Sequence, residues 1–195
     1  MTRFIDRGAI TAAYVGIGMA VTIAISFLLI IPIEPIVWVL SLPSGLLIGY
    51  YANQRSNRRA GPWGRILLNG LFAALVTGVT AAVLLLGVKA LFFYGDNGYR
   101  DPSAGGPIVC SSGPECVYQR YVLLDDGARV SGLEAAGVTD TATFTGFYWS
   151  QQFLVAGMLV AVTTAGGLGG ALLYLLFRPK TTPPTGAGER ATTVT

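Results

Sequence analysis

The sequence predicts an all-α membrane protein in which four transmembrane helices form a bundle, with a small extracytoplasmic segment between the third and fourth helices. Three observations lead to this fold class. The chain of 195 residues is 52% hydrophobic and only 12% charged, so it is far more apolar than a soluble domain of its size. Its apolar residues form four long runs, and its basic residues fall on alternating sides of those runs.

The four runs approach or exceed the roughly 20 residues that a helix needs to cross the hydrocarbon core. Lys89, in the third run, is their only ionisable residue. The second run is the shortest and contains Pro43, so we expect a kinked or tilted span there. We expect residues 1–180 to form one integral membrane domain and residues 181–195 a flexible cytoplasmic tail. The predicted spans are residues 9–31, 35–51, 66–94 and 152–177.

The basic residues predict the orientation of the chain. Of the 13 Lys and Arg residues, nine precede the first span, lie between the second and third spans, or follow the fourth span. These are Arg3, Arg7, Arg55, Arg58, Arg59, Arg65, Arg178, Lys180 and Arg190. The positive-inside rule therefore predicts that both termini are cytoplasmic. The first run exceeds the roughly 7–15 apolar residues of a removable signal peptide, so we expect it to remain as a span.

The composition is compatible with a bacterial source, and we expect the chain to lie in the inner membrane. Arg outnumbers Lys by eleven to two, and Gly and Ala are abundant, as is typical of GC-rich bacterial genomes. The net charge of +3 does not require a nucleic-acid partner. Basic residues beside a membrane are explained by their attraction to anionic headgroups.

Small residues recur at every fourth position in all four predicted helices. Such rows let two backbones approach closely, which matters in lipid because hydrophobic burial no longer drives helices together. A single row also arises by chance in a chain rich in Gly and Ala, so the prediction of a bundle rests on four rows together. The predicted packing glycines are Gly16, Gly45, Gly49, Gly70, Gly78, Gly157, Gly166, Gly169 and Gly170.

Residues 95–148, between the third and fourth spans, contain the only two cysteines, Cys110 and Cys116. The orientation puts both outside the cytoplasm, where oxidation is permitted, and the five residues between them include a Gly-Pro turn. We therefore predict a disulfide. Residues 117–124 and 128–130 flank an Asp-Asp-Gly turn and favour a short β-hairpin.

The start of the fourth helix is predicted to lie above the membrane surface. Thr139 or Asp140 is a candidate N-cap for a helix that passes through Phe144 and Tyr148 into the span. Lys89, near the outer end of the third span, either extends toward the headgroups or forms an ion pair with Glu34 in the first outer turn. Both alternatives remain open from the sequence.

No catalytic, metal or cofactor site is predicted. Histidine is absent, and no P-loop, Gly-x-Ser-x-Gly or dinucleotide fingerprint occurs. A solvated turn accounts for the adjacent carboxylates of Asp125 and Asp126. Two thiols alone are too few ligands for a metal centre.

The tiny first outer loop, short basic inner loop and large cysteine-bearing second outer loop resemble tetraspanin topology. The Cys-Cys-Gly signature of that family is missing, because Cys110 precedes Ser111 and Cys116 precedes Val117. The resemblance is therefore one of layout and implies no functional residues.

With no active site in view, we expect a structural or accessory subunit. Its expected partners are the lipid bilayer and another membrane protein or a second copy, bound through the fourth helix and the outer segment. The doubled row Ala-Gly-Gly-Leu-Gly-Gly in the fourth helix supports that contact, because its small residues lie on more than one face. A small oligomeric transporter or channel is the alternative, and an enzyme acting on lipid or on an extracytoplasmic substrate is the third possibility.

Overall fold

The chain is all-helical in the residues that the computed structural model describes, which are 5–29, 34–56, 62–95, 113–123 and 128–177. The side chains of residues 26–29, 34–39, 123 and 128–129 are not described. A π-helical turn, Leu91–Gly95, extends the third helix. The helices are α1 (Arg7–Leu29), α2 (Glu34–Arg55), α3 (Trp63–Ala90), α4 (Pro114–Leu123), α5 (Ala128–Ala135) and α6 (Thr141–Phe177).

Three helices are long and apolar enough to cross a membrane. They are Arg7–Ile25 within α1, Trp63–Gly95 and Thr141–Phe177, with 19, 33 and 37 residues. Large apolar side chains remain exposed along them, as expected for a surface that faces lipid rather than water. The crossing of the second helix, α2, remains a prediction.

The four long helices pack as a bundle in which chain neighbours alternate in direction. α1 and α6 each pack against both α2 and α3. Gly8 at the start of α1 lies against Ser56, just after α2, so these two helices are antiparallel. Ile66 near the start of α3 packs against Tyr174 near the end of α6, so this pair is antiparallel too. We call the end that holds these four residues the base end, and the opposite end the cap end.

The last helix extends beyond the bundle at the cap end. With 37 residues, α6 is about 55 Å long, whereas a hydrocarbon core is about 30 Å thick. Its start is capped by Asp140, whose carboxylate Oδ1 accepts a 2.8 Å hydrogen bond from the backbone N–H of Thr143. This confirms Asp140 as the N-cap and a fourth helix that begins well before residue 152.

The predicted hairpin is wrong, because α4 and α5 occupy its two proposed strands. In α4 the apolar residues Val117, Tyr118, Tyr121 and Val122 are spaced by three to four positions, and all pack against one apolar core. Pro114 begins the helix. Proline suits this position because the first backbone N–H of a helix has no partner within the helix, so its absence costs no hydrogen bond. The proposed Asp-Asp-Gly turn lies outside the described residues, as does the predicted tail 181–195.

Candidate functional site in the helix interfaces

Glycines bring the backbones of α2 and α6 into direct contact. A Cβ added to Gly45 would lie 3.0 Å from the carbonyl carbon of Thr163, and a Cβ on Gly49 would lie 2.7 Å from the Cα of Gly167. Contact positions advance by four residues on both helices, so α2 and α6 run parallel. Close backbone approach of this kind is how small residues stabilise helix pairs in lipid.

Three further predicted glycines face α2 from α6. A Cβ on Gly166 would lie 3.2 Å from the Cα of Gly45, and a Cβ on Gly170 would lie 2.9 Å from the carbonyl carbon of Leu46. Gly169 meets only a side chain, the Cδ2 of Leu46 at 3.2 Å. Backbone atoms cannot rotate away from a new methyl group, so Gly166 and Gly170 are more constrained than Gly169.

Gly167 is the residue at which three helices meet; it lies in the doubled row but is not among the predicted packing glycines. On the α3 side, a Cβ on Gly167 would contact the Cβ of Ala74 and lie 3.0 Å from the carbonyl oxygen of Gly70. On the α2 side, Gly167 is the backbone neighbour of Gly49. The available signal was the spacing of four from Thr163 to Gly167, a second row beside the one that was chosen.

The α1–α3 contact depends on Gly16, where an added Cβ would contact the hydroxyl of Thr77. That hydroxyl donates a 2.9 Å hydrogen bond back to the carbonyl of Ala73, so α1 does not have to supply an acceptor. Gly78, one residue further along α3, faces α6, and its Cβ would lie 3.2 Å from the Cβ of Thr163.

Gly157 differs from the other predicted packing glycines, because it faces away from the bundle. Nothing lies within 4 Å of a Cβ built there. Gly157 is exposed together with Ala161 and Ala165, and we call these three residues the outward row. Leu154 and Met158, each 51% exposed, flank it. α6 thus carries a shallow notch of small residues on its outer face.

Two buried asparagines, neither of them predicted from the sequence, connect the helices at the base end. Asn69 donates to the Asp6 carboxylate at 2.8 Å and accepts from the Asp6 backbone N–H at 3.3 Å. Asn53 donates to the carbonyls of Gly49 and Ile66, each at 3.0 Å. Both asparagines are 0% exposed, and Oδ1 of Asn53 has no hydrogen-bond partner. Each asparagine is a single amide near the end of an apolar run, and this position is the sequence signal that could have identified it.

An aromatic core joins α4 and α5 to the start of α6 and the π-helical turn, and we call this assembly the cap. The ring of Phe93, from the π-helical turn, stacks on Tyr148 with centroids 4.5 Å apart. Phe144 is completely buried, with its ring 5.1 Å from Tyr118 and 5.4 Å from Tyr121 of α4. Extending α3 by this turn is what carries Phe93 into the core of the cap.

Two exposed carboxylates accept hydrogen bonds at the surface of the cap. Thr141 at the start of α6 donates a hydrogen bond to Glu115 of α4, and Gln119 donates another at 3.0 Å. These hydrogen bonds lower the pKa of Glu115 from its usual value. The backbone N–H of Thr143 similarly lowers the pKa of Asp140. Glu115 thus connects α4 to α6, and Asp140 caps the start of α6.

Each of the two predicted side-chain pairings includes a side chain that the structure does not describe. Cys116 is buried in α4 at 4% exposure, but Cys110 lies outside the described ranges. Lys89 is partly buried in the last turn of α3, where a positive charge suits the negative end of the helix dipole. Glu34 begins α2, and its side chain is not described. The disulfide and the ion pair therefore remain predictions.

All four long helices line one cleft, which we call the bundle cleft. It is a narrow cleft, partly open to the surroundings, in the half of the bundle nearer the cap end. Its lining residues are Met19, Ala20, Ile23, Ala24, Ser41, Ser44, Thr77, Ala81, Leu85, Val88, Leu159 and Thr163. Only the four Ser and Thr residues are polar, and all four are buried.

No group of three His, Cys, Asp or Glu side chains in the described part of the chain is arranged to hold a metal ion. Compared with known proteins, the chain matches no protein-family model, no curated sequence and no solved structure. The candidate functional features are the glycine contacts inside the bundle, the outward row, the cap and the bundle cleft.

Proposed function

We propose that this chain is a four-span protein of a bacterial inner membrane that serves as a structural or accessory subunit and has no catalytic site of its own. The outward row of α6 carries the proposal. α6 uses Gly166, Gly167 and Gly170 to contact α2 and α3, yet it presents a second set of small residues on its opposite face. In lipid, such a notch suits the close approach of another helix.

The direction of α2 supports a fourth span. α2 lies parallel to α6 and antiparallel to α1, both of which are long and apolar enough to cross a membrane. A helix that stays in backbone contact with such neighbours passes through the same layer of the bilayer. It would need to satisfy its own backbone there, and the helical conformation of Glu34–Arg55 does so.

Basic residues at the base end support a cytoplasmic location for that end. Arg7 and Arg55 are exposed there, beside the partly buried Arg65. The cap then lies on the outer side, where a Cys110–Cys116 disulfide can form. Burial of Cys116 supports that bond, and so does the lack of any free cysteine among the described residues.

The partner we propose is another membrane protein, or a second copy, that packs on the outward row and extends to the cap. The alternative role, a small oligomeric transporter or channel, requires a polar pathway through the bundle. The walls of the bundle cleft are apolar apart from four hydroxyls, and the hydroxyl of Thr77 already bonds its own helix. This favours the accessory role.

Purification in a gentle detergent, with identification of co-purifying chains, tests the proposal. We expect one defined partner, or a second copy, to co-purify with the wild-type chain. Ala161→Phe fills the outward row and should reduce recovery about tenfold, since overpacking costs typically about 1–3 kcal/mol. Val83→Phe is the matched control, because Val83 is 61% exposed on a different helix, α3. A wild-type chain recovered only as a monomer would contradict the proposal, as would an unchanged partner yield from Ala161→Phe.

The orientation is tested with the two native cysteines. In spheroplasts, a membrane-impermeant maleimide should label the chain after reduction and not before it. Labelling without reduction would contradict the disulfide. Labelling that requires permeabilised membranes would contradict the outer location of the cap.

A further inference from the structure

We propose that the bundle cleft binds one acyl chain of an anionic membrane lipid, with the lipid headgroup beside Lys89. This site goes beyond the accessory role, because it lies between the helices of a single chain rather than on the outward row. Its occupant follows from the length, the lining and the charge of the cleft.

Measured along α3, the cleft is about as long as one leaflet of a bilayer is deep. Along α3 the lining extends from Thr77 to Val88, a rise of about 16 Å at 1.5 Å per residue. Half of a hydrocarbon core of about 30 Å is about 15 Å, which is the depth that an acyl chain occupies in its own leaflet. The cleft also lies in the cap-side half of the bundle, so its lipid belongs to the leaflet on that side.

The lining suits an apolar chain better than water. A buried water normally needs two to four polar partners, whereas the side chains along most of this cleft are hydrocarbon. Met19 and Ile23 of α1, together with Leu85 of α3, are partly exposed, while Ser44 and Thr77 at the deep end are buried. This difference places the entrance on the α1 and α3 side and the closed end near the middle of the bundle.

The charge at the entrance selects the headgroup. Lys89 directly follows the lining residue Val88 and lies one helical turn beyond Leu85, toward the cap end. A lysine at the depth of the headgroups attracts anionic lipid, and the expected preference over a zwitterionic lipid is about fivefold for one basic residue. An acyl chain in the cleft and an anionic headgroup at Lys89 can therefore belong to one molecule.

Native mass spectrometry of the purified full chain, after exchange into phosphatidylglycerol or phosphatidylcholine with identical acyl chains, tests the site. We expect one retained lipid and about a fivefold preference for phosphatidylglycerol. Ala81→Phe fills the cleft and should lower the retention of both lipids about tenfold. Val83→Phe adds the same ring to the exposed face of α3 and should retain lipid like the wild type. Lys89→Gln should abolish the preference while leaving the acyl chain bound.

Two results would overturn the proposal. One is unchanged lipid retention by an Ala81→Phe variant that melts like the wild type, and the other is equal retention of the two lipids by the wild type. If Ala81→Phe does not fold, the test is photo-crosslinking of the wild-type chain with phosphatidylglycerol that carries a diazirine in its acyl chain. Photo-adducts on Met19, Ile23 or Leu85 support the site, whereas adducts confined to exposed residues such as Val83 refute it. Because no partner chain is present, failure here is independent of the accessory role.

Discussion

Replacing Gly49 with alanine should separate α2 from α6 and destabilise the bundle. The new methyl group would lie 2.7 Å from both the Cα and the carbonyl carbon of Gly167, and it would also contact the Gly167 carbonyl oxygen. All three are backbone atoms, so no change of rotamer relieves the overlap. Reaching the roughly 3.5 Å of an ordinary carbon contact requires a local shift of about 0.8 Å.

That shift sets the size of the expected effect. Separating the helices by about 0.5–1 Å removes a quarter to a half of the dispersion energy of each atom pair in the α2–α6 interface. Overpacking typically costs about 1–3 kcal/mol. Alanine recovers up to about 1 kcal/mol through its higher helix propensity. The net loss is then up to about 2 kcal/mol, which corresponds to a Tm lower by up to roughly 8 °C for a chain of this length.

The assay is thermal unfolding of the purified chain in a mild detergent, followed by circular dichroism. Gly18→Ala is the matched control, because an added Cβ at this exposed α1 position meets nothing within 4 Å. Its Tm should equal or exceed that of the wild type. The reasoning is refuted if Gly49→Ala melts with, or above, the Gly18→Ala control.

Three further changes test the base end and the cap. Asn53→Asp puts a carboxylate oxygen where an amide N–H now donates to two carbonyls, so it should destabilise the chain by more than about 2 kcal/mol in the same melting assay. Phe144→Ala should cost about 3–5 kcal/mol and expose the cap to limited proteolysis, because this ring is completely buried. Asp140→Asn keeps a capping oxygen but removes a carboxylate whose pKa the hydrogen bond from Thr143 lowers. Its Tm should therefore fall less than that of the wild type between about pH 5 and about pH 3.

The sign of the acid effect follows from the direction of the pKa shift. Because the folded state lowers the pKa of Asp140 from 3.8, its stabilising contribution is complete above that value and is lost as the pH falls through the lowered pKa. An Asp140→Asn variant with the acid sensitivity of the wild type would contradict this assignment. Phe153→Ala, at a ring that is 61% exposed, is the control for Phe144→Ala and should leave proteolysis unchanged. Wild-type stability in Asn53→Asp at neutral pH would contradict the proposed orientation of that amide.

The four long helices were predictable because their signals are local. Apolar runs of the right length, and Asp140 at the start of a helical pattern, depend only on neighbouring residues. The hairpin prediction failed because residues 117–124 fit both an imperfect alternation and a helical period. In the structure residues 117–123 are helical and pack against a core that contains Phe144, which is distant in sequence. Secondary structure in short amphipathic segments is decided by such tertiary contacts.

The glycine contacts show a similar limit at the level of helix faces. A row of small residues predicts that a face can approach another backbone, but it does not say which neighbour it meets. The row containing Gly157 and the row containing Gly167 look alike in sequence, yet one faces outward and the other lies between α2 and α3. Asn53 and Asn69 escaped notice because a lone amide has no period, and its role appears only when its partners are in place.

The two faces of α6 differ in their contacts, and this difference offers a reason for the outward row. Glycine inside a helix is less favourable than alanine by about 1 kcal/mol, and a close contact between backbones offsets that cost. For Gly166, Gly167 and Gly170 the contact lies within the chain, at the backbones of α2 and α3. Gly157 has no such contact among the described residues, and Ala161 and Ala165 leave the surface beside it shallow. A helix that gains nothing from Gly157 within its own bundle can gain from it in contact with another, and the outward row is therefore the surface on which a partner is best sought.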